Sequence, residues 1–244
     1  MVFDAENPHR EQMDRLNSAA AGLNALDRLR LVVDLFGRQV VAATSFSAED
    51  QVLTHMLHTL GNPIDLFTID TGRLPQETFE VMEQTKLRYG MNIQIYFPDY
   101  RSVEAMVAED GPNPFYKSVE LRKQCCRMRK VEPLRRALSG KAAWVCGLRR
   151  SQSVTRQELM VIQEDEQFGL FKICPLADWT QEQVWEFIAS HNIPYNSLHD
   201  DGYPSIGCQP CTRAVEPGQD IRAGRWWWEE PEHKECGLHW NTKS

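Results

Sequence analysis

Apolar residues recur at helical spacing over residues 12–36, where Leu16, Ala19, Leu23, Leu26, Leu29 and Val33 make one stripe and predict an amphipathic helix. The period then shortens. Residues 40–44 are β-rich and predict a strand, and a polar turn, Ser45-Phe46-Ser47, follows it. Ser47 with Asp50 three residues on reads as a helix N-cap pair ahead of the stripe Val52, Leu53, Met56, Leu57 and Leu60. A second strand is predicted over 64–69, closed by Asp70-Thr71-Gly72, and a helix over 75–89 with Pro75 at an early position. Residues 93–97 predict a third strand. A looser stretch with Gly111-Pro112 and Pro114 leads to a helix over 119–129. Residues 142–147 predict a fourth strand, 159–162 and 170–173 two shorter ones. Thr180 with Gln183 forms a capping box before a helix that turns Val184, Phe187 and Ile188 inward.

Strands alternating with helices predict an α/β fold, a parallel sheet covered on both faces. Such sheets take ligands at the carboxyl ends of their strands. The turn at 45–50 sits at one such end. It is either an ordinary capped turn or a place where backbone N–H groups and the hydroxyls of Ser45 and Ser47 hold a phosphate or sulfate. From about Ser197 the pattern dissolves. The last 48 residues hold three cysteines, four tryptophans and three arginines and read as a tail docked on the sheet domain. The predicted division is residues 1–205 as the α/β domain and 206–244 as a C-terminal segment.

Composition narrows the class. Hydrophobic residues are 42% and charged residues 25% of 244, ordinary globular usage that excludes a disordered or fibrous chain. No apolar run approaches the roughly 18 residues of a membrane span, so no membrane association is expected. The first fifteen residues are polar and acidic, unlike a signal or transit peptide, so a cytoplasmic setting is expected. The net charge is −7, yet eleven Lys and Arg lie between Arg122 and Arg156 with Glu132 as the one acid among them. That stretch is either a solvated helix face or the counter-charge for a bound anion.

The seven cysteines sharpen this. Without a secretory signal they read as reduced thiols, ligands or catalysts. Cys125-Cys126 and Cys208-x-x-Cys211 supply four thiols, enough for one metal centre. Neighbouring helical side chains point about 100° apart, so a vicinal pair converges poorly on one small ion. Separate corners of a four-iron cube suit it better than zinc. Unligated core cysteines are the remaining alternative. Lys130, four residues after Cys126, falls on the same face if the helix continues and would offset a cluster's charge. Cys146 and Cys174 sit among apolar residues and read as small hydrophobes. Cys236, in Lys234-Glu235-Cys236-Gly237-Leu238-His239, has cationic neighbours that favour its thiolate; it is either a nucleophile or an idle thiol.

These features together resemble a known family. The CC and CxxC pairs, the Ser-Phe-Ser-Ala-Glu-Asp turn, Gly147-Leu148-Arg149-Arg150-Ser151-Gln152 with Thr155-Arg156, and the terminal Lys-Glu-Cys-Gly-Leu-His are similar to the assimilatory adenylyl-sulfate (APS) reductases over roughly residues 40–240. The resemblance implies a Rossmann-like sheet of the adenine-nucleotide α-hydrolase (PP-loop) type. It implies thioredoxin-dependent reduction of APS to sulfite and AMP, with a thioredoxin or glutaredoxin-like protein as reductant. By motif, Cys125, Cys126, Cys208 and Cys211 would bind [4Fe–4S] and Cys236 would be the nucleophile. Lys130, Arg156, Arg222, Arg225 and His239 would contact the phosphosulfate, Ser45 and Ser47 would form the phosphate-loop counterpart, and Gly147 would allow close backbone approach near the nucleotide. Ser47-Ala48 stands where some relatives place glycine. PAPS reduction is an alternative. So are a tRNA-thiolating enzyme of the same superfamily, which wants an SGGxDS loop this turn does not supply, and a non-catalytic iron–sulfur sensor. No nucleic-acid partner is expected.

Overall fold

The computed structural model describes residues 8–153 and 156–230. Two helices, α1 (Pro8–Ala20) and α2 (Ala25–Phe36), lead into β1 (Val40–Ala43), α3 (Ala48–Thr59), β2 (Asp65–Ile69), α4 (Gln76–Tyr89) and β3 (Ile93–Tyr96). Then come α5 (Tyr100–Asp110), α6 (Val119–Cys126), a π-helical turn (Arg127–Val131), α7 (Glu132–Leu138), β4 (Ala143–Val145), β5 (Ile162–Asp165), β6 (Leu170–Ile173) and α8 (Gln181–Ser190).

The sheet runs β3-β2-β1-β4-β6-β5. β1, β2, β3, β4 and β6 are parallel, and β5 is antiparallel to β6. That reversal departs from the all-parallel expectation. The reason is local: β5 and β6 are joined by four residues, with Gly169 at φ 68°, and a parallel crossover needs a dozen or more. The strand expected at 159–162 begins at Ile162 instead, although Leu159 is buried. Alternate strand residues serve the two faces. Val40, Ala42, Ala143 and Val145 pack with α2, α3 and α4, whereas Val41, Phe67 and Trp144 pack with Leu134, Ala137 and Leu138 of α7.

The single helix expected over 12–36 is two. Gly22 takes φ 77°, and Asn24 then caps α2 by accepting from the Asp27 N–H at 2.9 Å. The looser stretch before residue 111 contains α5. Its N-cap Asp99 accepts from Ser102 N, but Met106 is its one fully buried side chain, so no apolar stripe announced it. The helix expected over 119–129 does not stop there. It widens into the π turn and runs on as α7, because Pro133 has no N–H to return to the turn before it. The capping box of Thr180 and Gln183 forms as expected.

β1 leads to neighbours on one side and β4 to neighbours on the other. The crevice outside their carboxyl ends is therefore the switch point of the sheet, where an open α/β fold takes its ligand. Residues 206–230 have no regular strand or long helix and cover one side of this crevice. They are tied down by an N–H from Gln209 to the Arg73 carbonyl (2.8 Å) and a bridge between Thr212 and Arg225.

Candidate active site

The turn after β1 is organised by Asp50 rather than by a Ser47 cap. Ser47 has the extended backbone of an N-cap, but its side chain caps nothing. Asp50 instead accepts from the N–H (2.6 Å) and hydroxyl (2.7 Å) of Ser45 and from Gly147 N (3.1 Å), joining the ends of β1 and β4. Burial pushes the Asp50 carboxyl up, and these donors oppose that rise. Gly147 also stands in close contact with the chain itself: a Cβ there would overlap Asp50 Oδ1 and crowd Glu49. Glu49 is in turn held by Arg149 through Nε (2.9 Å) and Nη2 (2.7 Å).

A cleft of about 220 Å³ opens above this turn. Ser45, Ser47, Lys130, Gly147, Arg156, Arg222 and Arg225 all line it, so every expected contact residue among the described ones is brought to one place. His239 lies outside the described residues. The four cations come from three separate stretches: the π turn, the segment after β4, and the C-terminal segment. Arg225 donates through Nη1 to Ser205 Oγ and the Ile206 carbonyl, both at 3.3 Å, while its buried Nε has no acceptor. Gly207 is needed there, since a Cβ would overlap the Arg225 guanidinium. The basic run thus divides. Arg122 is matched by Glu229, Arg149 by Glu49 and Arg129 by the Thr71 carbonyl (2.7 Å), whereas Lys130 and Arg156 line the cleft, Arg156 also donating to Gln152 Oε1 (2.7 Å). Sequence reasoning missed Thr71, Gln152 and His199 in the lining. Burial lowers the pKa of His199, against an upward pull from Glu49. Only a chain fold, not spacing, brings residues so far apart together.

Cys125, Cys126, Cys208 and Cys211 line a second, smaller cavity, each no more than 8% exposed. Lys130 and Cys208 line both cavities, so the thiols and the cleft share a wall. Thr71 Oγ1 lies 3.3 Å from Cys208 Sγ. Burial and the neighbouring Cys208 push the Cys211 thiol up to about 12, opposed by Lys130 and Arg225; burial also pushes Cys125 up, opposed by Arg129 and Lys130. Among the described residues no group of three or more His, Cys, Asp or Glu is set to hold one metal ion. The four thiols around one space suit a multinuclear metal centre, and Trp226 Nε1 and Arg129 Nε in its walls are buried donors without acceptors that such a centre, anionic once bound by thiolates, would satisfy.

Cys146 and Cys174 lie in the core as expected, their sulfurs 3.7 Å apart, with burial pushing Cys146 well above the usual thiol range. Cys236 lies outside the described residues. Trp226 is buried in the wall of the thiol cavity, and Trp227 and Trp228 pack edge to face on each other.

Comparison with known proteins supplies the lineage. Residues 39–214 match the phosphoadenosine phosphosulfate reductase domain. The chain belongs to that family. An adenosine 5′-phosphosulfate reductase from Allochromatium vinosum is 56% identical over 200 residues, covering 82% of this chain and 78% of that one. Another, from Burkholderia cepacia, is 51% identical over 223 residues, covering 91% and 89%. The crystal structure of a phosphoadenylyl-sulfate reductase from Candida auris, in complex with phosphate, superposes with a TM-score of 0.72 at 31% identity, over 84% of this chain and 97% of that one. An FMN adenylyltransferase from Candida glabrata, 16% identical with a TM-score of 0.55 over 93% of this chain and 76% of its own, shares the fold. The expected reductase family and the α/β fold with its mostly parallel sheet are both upheld, and this member of the reductase family is an enzyme.

Proposed function

We propose that the enzyme reduces APS to sulfite and AMP through an S-sulfocysteine on Cys236, which a thioredoxin or glutaredoxin-like protein then reduces. The observation that carries this reading is the convergence of Lys130, Arg156, Arg222 and Arg225 on one cleft at the sheet's switch point, beside four clustered thiols. A phosphosulfate repels an anionic attacker. Cations fixed around its oxygens neutralise that charge and hold the sulfur for in-line approach. The Cys236 thiolate forms the new S–S bond, the bridging S–O bond breaks, and AMP leaves with its electron pair, with His239 as a further oxygen contact. A thiol of the partner then attacks Cys236 Sγ and releases sulfite. The partner's second thiol resolves the mixed disulfide, so its dithiol supplies both electrons.

Cys125, Cys126, Cys208 and Cys211 would hold [4Fe–4S], which when bound supplies a fixed charge beside Lys130 and needs no change of redox state. Lys130, in the wall common to both cavities, is the residue that would join cluster and substrate. Residues 206–244 form the segment that carries the CxxC and Cys236. An ATP-using reading is disfavoured, because the Ser45 and Gly147 N–H groups already donate to Asp50 and are not left to cradle a polyphosphate. The six described cysteines are free, which suits the reducing cytoplasm. No described helix is long and apolar enough to cross a membrane.

The test is anaerobic incubation with APS and no reductant. About one AMP per active site should appear as a burst and then stop. Peptide mapping should place a sulfo adduct on Cys236, and reduced thioredoxin should release it as sulfite. An adduct on another cysteine, or equal turnover of APS and PAPS, would overturn the reading.

A further inference from the structure

Trp226 is 1% exposed and sits at φ 41°, a conformation a bulky side chain rarely adopts. Such strain persists only where surroundings over-determine it. Here they do. Trp226 N donates to the Cys211 carbonyl (3.2 Å), and Glu229 N closes the turn by donating to the Trp226 carbonyl (2.9 Å). The Glu229 carboxylate receives Nε (2.9 Å) and Nη2 (2.6 Å) of Arg122, a bidentate pair with side chains 0% and 2% exposed. Arg122 also donates to Cys126, and its guanidinium carbon stands 4.7 Å from the Trp226 ring centroid. The guanidinium of Arg225, a cleft-lining residue, stands 4.7 Å from the same centroid.

We propose that Arg122 and Glu229 are positioning residues for the reaction: their fork holds the turn at Trp226, and through that ring sets the Arg225 guanidinium in the anion cleft. A buried ion pair is weak as a stability device, since well-packed apolar residues often replace one without loss. Its value here is geometric, because it ties α6, which carries Cys125 and Cys126, to the turn that presents Arg225. The inference rests on the cleft being the APS site, and AMP affinity separates the two: AMP lacks the sulfo group whose oxygens Arg225 would hold.

The decisive variant is the double replacement Arg122→Met with Glu229→Met, which removes the fork and leaves no unpaired charge. Its melting temperature should stay near wild type and its AMP affinity within about threefold, while kcat/KM for APS falls about tenfold or more. Arg122→Lys, which keeps the charge and loses the fork, should show the same kinetic loss. If the double variant does not fold, Glu229→Gln, nearly isosteric, is the measurement, with a rise in KM for APS of roughly threefold or more expected. Wild-type kcat/KM in whichever of these variants folds overturns the proposal. Loss of AMP binding in the folded double variant overturns it too, since the pair would then shape the whole cleft. Failure of wild-type enzyme to bind AMP at all would instead overturn the site assignment on which it rests.

Discussion

At the scale of the residue, Lys130 follows Cys126 by four and lies in the wall shared by the thiol cavity and the cleft. Lys130→Ala should lower kcat/KM by about a hundredfold, the order expected when one stabilising cation is removed, with iron content unchanged. Iron assay beside steady-state kinetics checks both halves; a variant losing iron would move Lys130 from substrate to cluster. Gly147 was legible as a position of close approach, but the group that approaches is Asp50, 97 residues away, and no spacing shows that. Gly147→Ala should displace Asp50 and unpin the Ser45 turn. A destabilisation of about 1–3 kcal/mol in urea, as expected for strain or overpacking in a filled site, together with weakened AMP binding, is the outcome to look for.

At the scale of the element, helices with a broad apolar stripe were visible and those without were not. α5 buries one residue fully and was hidden, whereas α8 announced itself through its capping box. The α1–α2 break was hidden for the opposite reason, because the apolar stripe runs across it and only Gly22 and Asn24 mark the turn. The packing of α3 on α8 adds a property no single helix has. His55 of α3 lies 4.9 Å, ring to ring, from His191 just beyond α8, and its Nδ1 is 3.2 Å from Tyr89 Oη of α4. Burial lowers the pKa of His55, and His191, Arg88 and His58 lower it further. A histidine with a depressed folded pKa binds its proton more readily when unfolded. Its contribution is therefore intact above the unfolded value, near 6.5, and is lost as pH falls below that. Melting temperature should drop between pH 7 and 5, and His55→Gln should flatten that slope. An unchanged slope in the variant would show that other groups govern acid stability.

At the scale of the whole molecule, the sheet and the thiols were legible separately, but the way one organises the other was not. Periodicity exposes strands, and paired cysteines expose a ligand set. That the thiols sit against the cation-lined cleft follows only from the path of residues 206–230 across the switch point. Cys208 and Cys211 fix that path by packing with Cys125, Cys126, Met106 and Phe115, so the segment bearing Arg222 and Arg225 is seated through the thiol cavity, not through the main core. Two functions then depend on one cysteine. Cys208→Ser should lose iron and also loosen the whole wall that carries Arg222 and Arg225, abolishing APS reduction and, through Arg222 and the lost wall rather than Arg225, weakening AMP binding by about tenfold or more, while the sheet core stays intact. Far-UV circular dichroism should be close to wild type, and tryptophan emission should shift to the red as Trp226 gains access to water. Lys130→Ala should neither lose iron nor shift the emission. If Cys208→Ser lost iron but bound AMP as wild type does, the cleft would be built by the sheet alone, and the thiol cavity would serve the chemistry without shaping the site.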